Sequence, residues 1–168
     1  MKSIFKLLFA AFLTVAPLTA NAQSNVAHIN VQQLISEMPE VIAAQNELAK
    51  LEKDYTTQID NAFKEFQTKA QSYSSDAANQ TDVTNQARQK ELESMQTNLQ
   101  EFRDSAAQEL QKKQMDLMTP LLEKSRNAIT KVGEEQCFNY VIDSSPNGGI
   151  ILANGKDLLA DVKKELGF

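Results

Sequence analysis

The sequence predicts a mainly α-helical protein in which one long helical hairpin projects from a small α/β body. Three observations lead to this fold class. Two long stretches repeat apolar residues at three- and four-residue steps and contain almost no glycine or proline. A short polar segment separates them, and short β-branched runs flank the pair on both sides. The hairpin therefore interrupts a body whose halves come from both ends of the chain.

The first 22 residues are predicted to form a cleaved signal peptide. Lys2 and Lys6 give a positive start, an apolar run follows, and Ala20–Ala22 is a small-residue cleavage site. The apolar run is too short for a membrane span of about 20 residues, and Pro17 interrupts it. We expect cleavage after Ala22, export of the chain, and one mature domain over residues 23–168.

The body is predicted to begin with a strand over Val26–Asn30 and a short helix over residues 31–37. Pro39 suits the first turn of the next helix, because its missing N–H would be unpaired there anyway. The first arm helix is predicted over residues 40–73, and its apolar residues form a stripe on one face. That stripe consists of Val41, Ala44, Leu48, Leu51, Tyr55, Ile59, Phe63, Phe66, Ala70 and Tyr73.

The polar segment over residues 74–82 is predicted to form the hairpin tip, where Thr81 or Asp82 can cap the returning helix. The second arm helix is expected from about residue 83 to 132, with apolar spacing close to a heptad seam. Pro120 lies inside this helix and removes a hydrogen bond, so we expect a kink between Asp116 and Pro120.

The arm is assigned to residues 41–124, and the body to residues 23–40 and 125–168. Two apolar runs in the second half of the body, residues 138–143 and 150–153, are predicted to pair as a β-hairpin. A closing helix is predicted over residues 157–166, ended by Gly167.

Three short strands and two short helices make a body that is small for an independent domain, so we expect the chain to form oligomers. The alternative is a monomer whose hairpin packs only on itself.

Charge and cysteine content limit the classes of function. Without the two lysines of residues 1–22, the chain keeps 15 basic and 22 acidic residues, a net charge of −7. This balance argues against a nucleic-acid binder, which usually carries a basic stripe. Cys137 is the only cysteine, so no internal disulfide can form. We expect it to be a small buried apolar group, with a disulfide to a second chain left open.

Few residues point to chemistry. His28 is the only histidine, and it lacks a Cys or carboxylate at metal-ligand spacing, so we interpret it as structural. A Ser-His-Asp site stays open, but no nucleophile-elbow pattern accompanies the serines. The acidic residues are dispersed along helix surfaces. We therefore predict that the protein is not an enzyme and has no catalytic residues, metal site or cofactor.

One apolar group in the outer parts of the arms is a candidate for binding another polypeptide. Most of its members are expected in the seam between the helices, but methionine-containing, adaptable surfaces also suit binding to many partners. The candidate residues are Phe63, Phe66, Tyr73, Met95 and Phe102.

The order of segments resembles the periplasmic chaperones of the Skp/OmpH type over nearly the whole mature chain. The opening strand and short helix come first, and the Gln/Lys/Glu-rich hairpin follows. The tail is the most specific part. It reads Pro-Leu-Leu-Glu-Lys at 120–124, Ala-Ile-Thr-Lys-Val at 128–132, Tyr-Val-Ile-Asp at 140–143 and Ala-Asn-Gly-Lys-Asp-Leu-Leu at 153–159.

This resemblance implies a homotrimer whose bodies join through strands and whose three arms enclose a cavity. It implies an ATP-independent periplasmic holdase that keeps unfolded outer-membrane proteins in that cavity. The best-known members are basic, whereas residues 60–115 here hold nine acids and seven bases, so we carry over no lipopolysaccharide site. A transient contact with a membrane surface stays open. The alternative function is a structural coiled-coil scaffold or spacer of the cell envelope.

Overall fold

A computed structural model describes residues 25–146 and 148–168. The predicted signal peptide lies outside the described residues. The elements in chain order are β1 (Val26–Ile29), α1 (Val31–Glu37), α2 (Pro39–Asp76), a short 3₁₀ turn (Ala77–Asn79), α3 (Asp82–Glu135), β2 (Tyr140–Asp143), β3 (Lys156–Asp157) and α4 (Leu159–Leu166).

The long helical hairpin is confirmed. α2 has 38 residues and α3 has 54, which correspond to about 57 and 81 Å of helix at 1.5 Å per residue. α2 begins at Pro39, and α3 begins after Thr81, whose side-chain oxygen accepts a hydrogen bond of 3.2 Å from the Thr84 N–H. α3 continues as one helix through Pro120, and the kink near that residue stays a prediction.

The sheet differs from the predicted one. Its strand order is β2-β1-β3, and both neighbours run parallel to β1. The prediction of an antiparallel hairpin between residues 138–143 and 150–153 is wrong, because residues 150–153 form no strand and the third strand is Lys156–Asp157. The chain turns after β2 because the Asp143 carboxylate accepts a hydrogen bond of 2.9 Å from the Ser145 N–H.

Glycine 155 permits the return of the chain to β1. A Cβ atom at Gly155 would lie 2.8 Å from the carbonyl oxygen of Val26. The Leu158 N–H then donates to the His28 carbonyl oxygen at 2.9 Å, and α4 begins directly after that residue. The predicted closing helix therefore starts two residues later than expected, because Asp157 belongs to the sheet.

One hydrophobic core joins the two ends of the described chain. It contains side chains of β1, α1, α4 and the last turns of α3, namely Ala27, Ile29, Leu34, Ala128, Val132, Leu158 and Val162. We call β1, α1, β2, β3, α4 and α3 from Ser125 onward the body. We call α2, the tip and α3 up to Lys124 the arm.

Cys137 contradicts the expectation of a buried thiol, since its side chain is exposed. It follows α3 with a φ of 57°, a left-handed conformation that glycine usually supplies at this position. The Cys137 N–H donates to Glu134 at 2.9 Å, and the Phe138 N–H donates to Gly133 at 2.9 Å. This pattern ends the helix and turns the Cys137 side chain outward.

Candidate functional site

The seam of the arm is thin. Only Val41, Ala44, Leu99 and Ala106 are buried in it, and the other seam residues of the predicted stripes are half-buried or exposed. A two-helix hairpin covers each helix on one side only, so an apolar side chain at the seam edge keeps part of its surface in contact with solvent. The arm therefore presents apolar surface that the described chain itself does not cover.

The five predicted contact residues do not form one surface. Phe63 is exposed, whereas Phe66, Tyr73, Met95 and Phe102 are half-buried. The Phe102 ring packs edge-on against Tyr55, with 6.0 Å between the ring centroids. These half-buried side chains contribute to the arm's own packing, and their contact with a bound polypeptide stays a prediction.

Tyr73 belongs to a polar network that closes the arm at its tip. Its hydroxyl donates to Glu91 at 2.7 Å, and the Arg88 guanidinium lies 4.7 Å from the centre of its ring. Arg88 also pairs with Asp76 at 3.1 Å, and Lys69 pairs with Glu91 at 2.6 Å. These contacts tie the end of α2 to the start of α3.

The network also shifts the pKa values of its members. The hydrogen bonds from Lys69 and then Tyr73 lower the pKa of the Glu91 carboxyl, and the Arg88 guanidinium lowers the pKa of Asp76. The Glu91 carboxylate in turn raises the pKa values of Lys69 and Tyr73. The network therefore favours the charged forms of both carboxyls and of Lys69.

One side of the arm near the body is charged. A groove of about 530 Å³ on this side is lined by Glu47, Lys50, Leu51, Asp54, Tyr55, Glu109, Lys112, Lys113 and Asp116. Lys113 pairs with Glu47 at 2.7 Å, and the Tyr55 hydroxyl donates to Glu109. Farther toward the body, Lys124 pairs with Glu40. Ion pairs therefore join α2 to α3 along this side.

The other side of the arm near the body carries exposed apolar residues. Met115 is 54% exposed, Ile42 46% and Leu122 44%. Leu122 borders a groove of about 550 Å³ that extends along α1, α3 and β2. These residues are not among the predicted contact residues, which belong to the largely aromatic cluster of the outer arm. Their spacing on α3 was the signal that could have identified them.

The body carries a second exposed apolar surface. Its residues lie on β2 and in the segment that was predicted as a strand, and they are Tyr140, Ile142, Ile150, Ile151 and Leu152. Ile151 is fully exposed and Leu152 is 75% exposed. β2 pairs only with β1 among the described strands, so its outer edge has free backbone groups. This edge of β2 is suited to pairing with another strand.

His28 and Ser144 lie together, but no acid of the described residues hydrogen-bonds to the His28 ring. The His28 Nδ1 atom lies 3.1 Å from the Ser144 hydroxyl. The neighbouring Asp143 carboxylate instead accepts hydrogen bonds from the hydroxyl and N–H of Ser145 and from the Val31 N–H. A triad needs an acid that orients the histidine, and Asp143 is engaged elsewhere.

The Asp143 network fastens the end of β2 to the start of α1. Ser145 is buried, and its hydroxyl oxygen accepts from the Gln32 N–H at 3.0 Å. Partial burial alone would raise the pKa of the Asp143 carboxyl, but the hydrogen bonds from Ser145 and Val31 outweigh burial and lower that pKa. The network thus stabilises the charged carboxylate and holds the two segments together.

Two further observations concern metal ions and membranes. The described residues contain no group of three or more His, Cys, Asp or Glu side chains that could hold a metal ion. Within residues 25–146 and 148–168, no helix has the length and apolar content needed to cross a bilayer.

The comparisons with known proteins concern the family and the fold. The model of the family described as outer membrane protein, OmpH-like, matches residues 25–166. The fold is similar to an OmpH-like protein from Caulobacter crescentus CB15, whose proposed role is that of an outer membrane chaperone. The TM-score is 0.76 with 12% identity over 86% of this chain and 85% of that chain, so this likeness concerns the fold. No curated protein matches the sequence.

Proposed function

Because this chain belongs to the OmpH-like family of outer membrane proteins, we propose that it is a periplasmic chaperone for unfolded outer-membrane proteins. It binds these clients without ATP or another cofactor and prevents their aggregation until they reach the machinery that inserts them. The family match over residues 25–166, which includes the whole arm, is the observation that carries this proposal.

The geometry of the arm supports a holding role. α3 alone is about 81 Å long, while the core that stabilises the chain lies at one end of the arm. The arm therefore offers a long surface with few buried side chains, so a local change in its conformation costs little free energy. Many weak contacts along such a surface suit clients that share apolar character but no common sequence.

We propose that three copies assemble through their bodies. The free edge of β2 and the exposed apolar segment around Ile151 give each copy two surfaces that another copy can cover. A three-stranded body with two short helices also gains stability from association. Three arms that leave one joined body then enclose a space in which a client is kept apart from other unfolded chains.

The excess of acidic residues affects which clients we expect the chain to bind. The mature chain has a net charge of −7, and the arm between residues 60 and 115 has a net charge of −2. Long-range attraction of acidic clients is therefore not available to this protein. We expect client binding to depend on apolar contacts and to change little when salt is raised.

The test is suppression of aggregation. An outer-membrane β-barrel protein is unfolded in urea and diluted into buffer with the mature chain, and light scattering is recorded. We expect suppression near a ratio of three chaperone chains to one client, without nucleotide. If the client aggregates as fast as in buffer while circular dichroism shows a folded helical chaperone, the proposal is wrong.

The alternative is a coiled-coil scaffold of the cell envelope. It predicts one folded partner in a fixed ratio and no affinity for unfolded chains. A pull-down from envelope extract followed by the same scattering assay separates the two functions, because only the chaperone suppresses aggregation.

A further inference from the structure

The part of the arm next to the body has two different faces, and this division suggests where a client binds. Six charged residues lie on α3 between positions 105 and 125, namely Glu109, Lys112, Lys113, Asp116, Glu123 and Lys124. The first four line the groove of about 530 Å³ with charged residues of α2, and the last two line a groove that reaches α4. We call this side the charged face.

The side of α3 that borders the body's α1 at Leu122 carries mostly uncharged residues over the same length, with Lys112 at its edge. Its members follow one another at three- and four-residue steps, as one side of a helix requires. They are Gln108, Gln111, Met115, Met118 and Leu122, which we call the uncharged face. The face is about 21 Å long at 1.5 Å per residue.

Contacts of the body show that this face includes α2 as well. Val31 and Ile35 of α1 line a groove with Leu122 and Ile129 of α3, and Arg126 and Glu134 lie at the same groove. The same two residues of α1 line a second groove with Gln45 of α2. Ile42 lies one turn before Gln45 and is also exposed. Both helices of the arm therefore present uncharged residues on the side of α1.

We propose that the uncharged face is the client-binding surface of this chaperone and that it holds apolar, strand-forming segments of an unfolded outer-membrane protein. This inference rests on the proposed function and names the site. Strands of membrane barrels alternate apolar and polar residues. Methionine and leucine can contact the apolar residues of such a strand, while glutamine amides can bond to its backbone. Lys112 and Arg126 border the face and are exposed, so their long side chains can keep their charges in water when the strand binds.

The size of the face favours a client over a second copy of the chain. Its exposed apolar residues near the body are Ile42, Met115 and Leu122, each about half exposed. Together with Met118 they offer roughly a few hundred Å², whereas a stable protein interface buries about 800 Å² on each partner. Methionine also adapts its shape to different partners. The face therefore suits weak and varied contacts better than permanent assembly.

Adjacent residues of α3 provide a matched experiment. A photo-reactive benzoylphenylalanine replaces Gln111 or Met115 on the uncharged face, and Asp116 or Glu123 on the charged face. The full mature chain is mixed with a urea-unfolded outer-membrane barrel protein and irradiated. We expect client adducts at 111 and 115 and several-fold fewer at 116 and 123.

Two other results would overturn the inference. One is equal or stronger client adducts on the charged face. The other is adducts between chaperone chains at 111 and 115 in the absence of client, which would mean that a second copy covers the face. Suppression of aggregation by the same preparations shows separately whether the proposed function holds.

A binding measurement gives the size of the effect. The double variant Met115→Ser with Leu122→Ser should weaken binding of the unfolded barrel protein about tenfold, because two apolar contacts are lost. Val83→Ser removes an exposed apolar residue at the far end of the same helix and should leave the affinity unchanged. Equal affinities of the double variant and the wild type, with circular dichroism unchanged, would contradict the inference.

Discussion

The body and the arm of this protein are stabilised in different ways. Leu34, Leu158 and Val162 of the body are completely buried, whereas the most deeply buried leucine of the outer arm, Leu99, keeps 8% of its surface exposed. The body joins residues more than 110 positions apart in the sequence, while the arm joins two helices through a thin seam and ion pairs. We therefore expect stability to come mainly from the body, while much of the arm's surface is not used for its own packing.

The largest expected effect is the loss of a core leucine in the body. Leu34→Ala should lower the free energy of unfolding by about 3 kcal/mol, because a fully buried side chain leaves a cavity. Leu99→Ala in the arm should cost about half as much, since a two-helix seam can close around the gap. Urea unfolding followed by circular dichroism compares the two. Equal losses of unfolding free energy in the two variants would mean that the arm and the body contribute equally to stability.

The next effect concerns the turn that brings the chain back to β1. Gly155→Ala places a Cβ atom 2.8 Å from the Val26 carbonyl oxygen and should cost about 2 kcal/mol, because backbone must move. Asn154→Ala, at the exposed neighbouring position, should change the free energy of unfolding by less than about 0.5 kcal/mol. If both variants unfold at the same urea concentration, the short distance between residue 155 and the Val26 carbonyl oxygen does not require glycine.

A smaller, pH-dependent effect is expected at Asp143. Asp143→Asn should cost about 1 kcal/mol at pH 7, because its hydrogen bonds from Ser145 and Val31 weaken. The folded-state pKa of Asp143 is lowered, so its contribution is present above the ordinary carboxyl pKa of about 3.9. It is lost as pH falls through the folded-state value. Urea unfolding at pH 7 and pH 3 should therefore show a difference between the variant and the wild type that is smaller at pH 3.

The smallest effect is a gain at the end of α3. Cys137→Gly removes the strain of a left-handed residue, worth about 1 to 2 kcal/mol. Glycine also makes the unfolded chain more flexible, so the net gain should be below about 1 kcal/mol. Cys137→Ser keeps the strain and serves as the control. Thermal unfolding should rank the glycine variant above the serine variant, and the reverse order would contradict the role of the turn.

The difference between arm and body also explains what the sequence could predict. The arm follows from local periodicity, so its two helices were predicted within a few residues, and Thr81 was one of the two predicted caps. The body depends on partners distant in the chain. Ile150–Leu152 has the composition of a strand, but nothing local shows that β3 lies at Lys156–Asp157 and pairs with β1. The exposed thiol of Cys137 likewise follows from a backbone conformation that composition does not indicate.

The candidate site was predicted only in part for the same reason. Apolar spacing identified which residues belong to the arm's stripes. It could not separate residues in the seam from residues at its edges, because the two positions differ by only a small rotation around the helix axis. Tyr73 and Phe102 lie partly within the seam, whereas Met115 and Leu122 lie outside it. The two faces can be told apart because α1 borders one side of the arm and α4 borders the other. The positions of α1 and α4 do not follow from the spacing of residues in the arm.

The central claim is that this chain holds unfolded outer-membrane proteins between the arms of an assembly. Native mass spectrometry of the mature chain with one outer-membrane barrel protein, offered unfolded in urea and separately as folded protein, tests the stoichiometry and the client state together. We predict one unfolded client bound to three chains and no complex with the folded barrel. A monomeric chain, or a complex with only the folded barrel, would contradict the account.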